Sequence, residues 1–132
     1  METVAWSDAF VLGDAELDAD HRRIIDAVNA AIGALNEGRA DDCVATMRQI
    51  ASLTADHFRR EEAFLQKQAF LNLDSYAAYH RRLVGEMGII VDACAERPDL
   101  AGIEARLAEM IHYLLNEIGG RDRELRRVCR AG

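Results

Sequence analysis

The chain is poor in the residues that break helices and in those that cross-link. It holds a single proline, Pro98, among 132 residues. Proline removes a backbone donor and clashes with the preceding turn, so long stretches are left free to be helical. No apolar run approaches about 18 residues, which excludes a membrane-spanning helix. Basic residues are in deficit: 16 Lys and Arg stand against 23 Asp and Glu, for a net charge of -7. Nothing reads as a phosphate-binding stripe, so nucleic acid is not expected as the main partner. No charged and then apolar leader opens the sequence, so export is not expected. Three cysteines, Cys43, Cys94 and Cys129, are widely spread and form no CxxC pair. An odd, scattered set argues against a disulfide framework and fits free thiols in a reducing cytoplasm.

What is present reads as one domain over 1–132, long enough to bury a sizeable core. Hydrophobic residues make up 50% of the chain and charged ones 30%, as in an ordinary globular protein. Residues 1–16 read as an irregular arm, with Trp6, Phe10 and Leu12 able to pack back on a core. A first helix is predicted from about Asp18 to Glu37, with Leu17, His21, Ile24, Ile25, Val28, Ile32 and Leu35 on one face. A second runs from about Asp41 to Gln68, with Asp41 or Asp42 as its cap. A third, capped by Asp74 or Ser75, runs to about Ala95 and turns Tyr76, His80, Leu83, Met87, Val91 and Cys94 inward. After Arg97-Pro98-Asp99 a fourth starts near Leu100 and is weakened at Gly119-Gly120, which leaves a basic tail as a frayed helical end. Four helices with short links predict an all-α, up-down-up-down four-helix bundle with an N-terminal arm.

The apolar stripes carry an anomaly. His57 and Glu61 are one helical turn apart and share a face with Met47, Ile50, Phe64 and Leu65. A histidine and a carboxylate on a core-facing stripe are costly unless paired or bound to a cation. His21, His80, Glu117 and Asp122 repeat the pattern in the other helices. Four inward-facing sets of donors predict a metal site inside the bundle. His112 shares a face with Glu109 and Asn116 and reads as a surface residue, and Glu62 as an outward-pointing acid.

These stretches, Leu17-Asp18-Ala19-Asp20-His21, His57-Phe58-Arg59-Arg60-Glu61-Glu62 and Tyr113-Leu114-Leu115-Asn116-Glu117-Ile118 with Asp122, resemble the hemerythrins, most of all single-domain bacterial ones. The resemblance implies a four-helix bundle holding two iron ions, bridged by two carboxylates and an oxo or hydroxo group, with O2 or peroxide as the small ligand. It implies His21 and His57 on one iron, Glu61 and Asp122 as bridges, and His80 on the other iron. Two positions depart from the family. Tyr76 stands where the third helix has a further histidine, and Glu117 where the fourth has one. Phenolate and carboxylate are harder donors than imidazole, so both are candidate ligands; the alternatives are a core tyrosine and a solvated or arginine-paired glutamate. With both ligating, two ferrous ions form a neutral site, which favours oxidised metals and admits manganese or a mixed pair. The functions expected are O2 binding or sensing, or reduction of O2 or peroxide. Alternatives are a di-metal oxidase or peroxidase using iron or manganese, and an iron-buffering protein. Whether the chain is an enzyme stays open.

Overall fold

Each long apolar stripe forms a helix, and two of the helices begin where an aspartate, Asp14 or Asp99, accepts from a first-turn amide. The structure, a computed structural model, describes residues 1–121 and 123–131, with side chains for 1–119 and 125–129. The helices are α1 (Ala15–Asn36), α2 (Ala40–Lys67), α3 (Leu73–Glu96), α4 (Leu100–Asn116) and α5 (Arg123–Ala131). A short 3-10 turn, Asp8–Phe10, lies in the arm, and a π-helical turn, Glu117–Arg121, joins α4 to α5. Successive long helices pack side by side, and α4 also touches α1 and α2, which closes the four-helix bundle.

Several boundaries differ from the sequence expectation, each for a local reason. The first helix starts at Ala15 because Asp14 is its cap, accepting from the Leu17 amide. Asp18 lies inside the helix and reaches back to the amides of Leu12 and Gly13. The second helix is capped by Arg39 without a side-chain bond, so Asp41 and Asp42 sit in its first turn, where they favour the helix dipole. The third starts at Leu73 behind Asn72, so neither Asp74 nor Ser75 is its cap. The tail is not frayed among the described residues: it forms α5.

The core divides in two. The larger cluster includes Ile24, Val28, Met47, Ile50, Phe58, Leu83, Met87, Leu107 and Leu114, and fully burying such a side chain contributes roughly 1.5–3 kcal/mol. The smaller holds Leu12, Leu17, Leu65, Tyr76 and Leu125. His21 falls between Leu17 and Ile24, Glu61 between Phe58 and Leu65, and His80 between Tyr76 and Leu83. A polar layer thus separates the two clusters across the bundle.

Candidate metal centre

Five of the expected site residues meet in that layer: His21, His57, Glu61, His80 and Glu117 are all buried. Two donor groups form, His21–His57–Glu61 and Glu61–His80–Glu117, and either can hold a metal ion. They share Glu61. One of its oxygens lies 2.7 Å from His57 Nε2 and the other 3.4 Å from His80 Nε2. Glu117 places an oxygen 3.4 Å from the same His80 nitrogen.

Each imidazole is held from behind. His21 Nδ1 donates to the Phe10 carbonyl at 2.6 Å. His57 Nδ1 donates to Asp20 at 3.0 Å, and His80 Nδ1 to Glu62 at 2.9 Å. With Nδ1 carrying the proton, Nε2 is left to face the layer's centre, and His21 and His57 bring theirs within 3.0 Å of each other. Among the described residues, neither Glu61 oxygen, nor His80 Nε2, makes a hydrogen bond of good geometry. Buried carboxylates that converge without well-aligned donors are costly, and positive charge between them, a protonated His80 or a metal cation, relieves that cost. The donor set of imidazole and carboxylate therefore fits a transition metal. Outer partners on the far nitrogen are the usual way a protein fixes a ligating histidine's ring and tautomer.

The electrostatics follow from the same contacts. Burial pushes the Glu61 carboxyl up, but His57 and His80 outweigh it and hold the group at about 2. Burial and the neighbouring His57 lower His21 to about 4, against the Phe10 bond that raises it. Burial lowers His80 as well, yet the Glu117 and Glu61 carboxylates beside it prevail and raise it to about 10.

Asp20 and Glu62 are the residues that the sequence reading missed in this role. Asp20 is buried beneath Arg60, whose Nε and Nη2 each donate to it at 2.8 Å, and Arg23 adds a third bond at 2.9 Å. Burial alone would raise the Asp20 carboxyl, but His57 and Arg60 hold it well below the usual carboxylate range. Glu62 is 28% exposed and turns back to His80 rather than out to solvent. The available signal was an acid beside two of the buried donors: Asp20 before His21 and Glu62 after Glu61.

Tyr76 is buried one turn before His80, with its ring edge-on to that imidazole at a centroid distance of 4.7 Å. Asp122, expected as a second bridging carboxylate, lies outside the described residues. His112 is exposed and bonds Asn116 at 3.3 Å, as a surface histidine does. Phe58 stacks flat on His80 at 3.8 Å, and Trp6 anchors the arm against Phe10.

The chain is similar to a myohemerythrin. It is 29% identical over 82 residues to the myohemerythrin of Riftia pachyptila, across 62% of this chain and 63% of that protein. The match thus spans less than two thirds of the relative's length. No family model matches the chain. Among the described residues, no helix is long and apolar enough to cross a membrane.

Proposed function

We propose that this chain is a hemerythrin-like protein that holds two iron ions and binds or reacts with O2. His21 and His57 hold one ion, His80 and Glu117 the other, and Glu61 serves both. Asp122 is the second bridge and Tyr76 a further ligand beside His80. The observation that carries this reading is the convergence of three imidazoles, each fixed through Nδ1, on one buried carboxylate. When bound, iron supplies the electron-transfer chemistry that O2 requires. The chain's own residues set ligand orientation through Asp20, Glu62 and the Phe10 carbonyl. They also limit water with apolar walls such as Phe58 and Leu83.

A second reading, net reduction of O2 or peroxide, is favoured by one observation: Glu117 puts a second carboxylate, after Glu61, beside His80 Nε2. An added anion in a buried site stabilises oxidised metal and so disfavours reversible binding. Manganese or a mixed pair also suits a donor set richer in oxygen. Elemental analysis after expression with iron, with visible spectra before and after O2, tests both readings. Two ions per chain and a spectrum that returns on removing O2 indicate a carrier or sensor. Two ions and irreversible oxidation indicate the reductive role, and a reproducible metal content near zero overturns both.

A further inference from the structure

The arm and the last helix meet over one histidine. Arg126, on α5, grips the arm at two points: its Nη2 donates to the Ala9 carbonyl at 2.6 Å and its Nε to the Val11 carbonyl at 3.1 Å. The residue between them, Phe10, turns its carbonyl the other way and accepts from His21 Nδ1 at 2.6 Å. Three consecutive carbonyls thus alternate, two toward the guanidinium and one toward the imidazole. The Phe10 ring is fixed as well. It lies edge-on to Trp6 at 5.4 Å and within 3.6 Å of where a Cβ on Gly119 would stand. Trp6 is covered in turn by the Arg22 guanidinium at 4.1 Å.

The other two imidazoles do not depend on this arrangement. His57 is held by Asp20 of α1 and His80 by Glu62 of α2, both on long helices of the bundle. Among the described residues, His21 alone of the three takes its anchor from the arm, and a backbone carbonyl at the end of a single 3-10 turn points correctly only while that turn is held. A planar guanidinium with two parallel donors suits this task, since it fixes both flanking peptides at once.

We propose that Arg126 is a positioning residue for His21. By docking α5 on the arm, it keeps the Phe10 carbonyl aimed at Nδ1 and so holds the ring with Nε2 turned toward His57 and Glu61. The His21 half of the centre is then coupled to the C-terminal helix by way of the arm, whereas the His80 half meets that helix through Glu117 and the turn that follows it. The consequence for metal rests on the di-metal reading above; the tautomer of His21 does not.

Imidazole 15N spectra of the metal-free full-length chain test the tautomer directly. Wild-type His21 is expected in the Nδ1–H form. R126Q, whose amide cannot span both carbonyls, is expected to populate the Nε2–H form, with His57 and His80 unmoved. R126K is expected to shift His21 the same way but less. R127A, at an exposed neighbour, serves as the control and leaves all three unchanged. Titration with Co(II) then reads the consequence: R126Q lowers the affinity of one ion by about 10-fold or more and leaves the other as in wild type. A wild-type His21 spectrum in both Arg126 variants overturns the proposal, as does equal weakening of both ions, which marks general loosening. If R126Q fails to fold, the His21 shift in R126K decides the matter alone. If the wild-type chain binds no Co(II), the di-metal reading fails and the spectra still decide the role of Arg126.

Discussion

Asp20 accepts from His57 Nδ1 and from two arginines at once, so its charge serves ring orientation and ion pairing together. Asp20→Asn keeps the shape and removes the charge. It is expected to weaken metal binding by about 10- to 100-fold, the usual effect of removing an outer partner. Loss of the charge-assisted bonds is also expected to cost roughly 1.5–3 kcal/mol in urea unfolding. Unchanged metal affinity would show that His57 orients itself without Asp20. Tyr76 poses a separate question at this scale. If it ligates ferric iron it does so as phenolate, and a broad visible charge-transfer band follows. Tyr76→Phe is expected to abolish that band and leave the helical circular dichroism intact. A ferric spectrum indifferent to the substitution would make Tyr76 a core residue packed edge-on to His80 and leave Glu117 alone to alter reactivity.

At the scale of elements, the glycines separate backbone need from packing. Gly38 follows α1 with φ +73, and among the described residues beyond its two chain neighbours nothing lies within 4 Å of where its Cβ would be. Gly38→Ala therefore tests backbone strain only and is expected to destabilise by about 1 kcal/mol. Gly33, inside the same helix, also has nothing within 4 Å and has no positive φ. Gly33→Ala is expected to stabilise by roughly 0.5–1 kcal/mol through helix propensity. Chemical denaturation of the two variants should move the midpoint in opposite directions, and a shared direction would refute the assigned backbone roles. The π-helical turn at Glu117–Arg121 belongs to the same scale. Such turns recur at functional sites, and this one lies where the donor residue Glu117 leaves α4 for α5.

For the molecule as a whole, the site titrates against the fold. In the metal-free protein His21 is lowered to about 4 from 6.5. Between those values the unfolded chain binds a proton that the folded one refuses, so stability rises with pH. His80 is raised to about 10 from 6.5; its contribution is full below 6.5 and is lost as pH rises through 10. Glu61, lowered to about 2 from 4.5, contributes above 4.5 and loses that contribution as pH falls through 2. Together these groups place maximal metal-free stability near pH 6.5. Melting temperatures of the chelated protein should fall on both sides of that value, and a steady climb toward pH 10 would contradict the His80 ion pairs. Metal should raise the melting temperature by binding the folded state, and should release protons as it displaces them from the ligands. A melting temperature insensitive to chelation would argue against a preformed site.

The helices and their inward faces were legible from periodicity, because an apolar residue every three to four positions leaves a helix little choice of side to bury. His21, His57, Glu61, His80 and Glu117 were legible for the same reason, as polar residues in register with those stripes. Helix starts were less so: Asp14, Asp18, Asp41, Asp42, Asp74 and Ser75 all have capping chemistry. Which one caps depends on where the preceding turn delivers the chain. The outer partners were legible only as acids beside a buried donor, with no indication of the ring each one reaches. Asp20 reaches His57 from another helix, the Phe10 carbonyl reaches His21 from the arm, and Arg126 reaches the arm from the far end of the chain. A stripe pattern fixes the side of the helix from which a ring projects. The nitrogen that carries its proton is settled by a hydrogen bond across the fold, and packing alone brings those groups together.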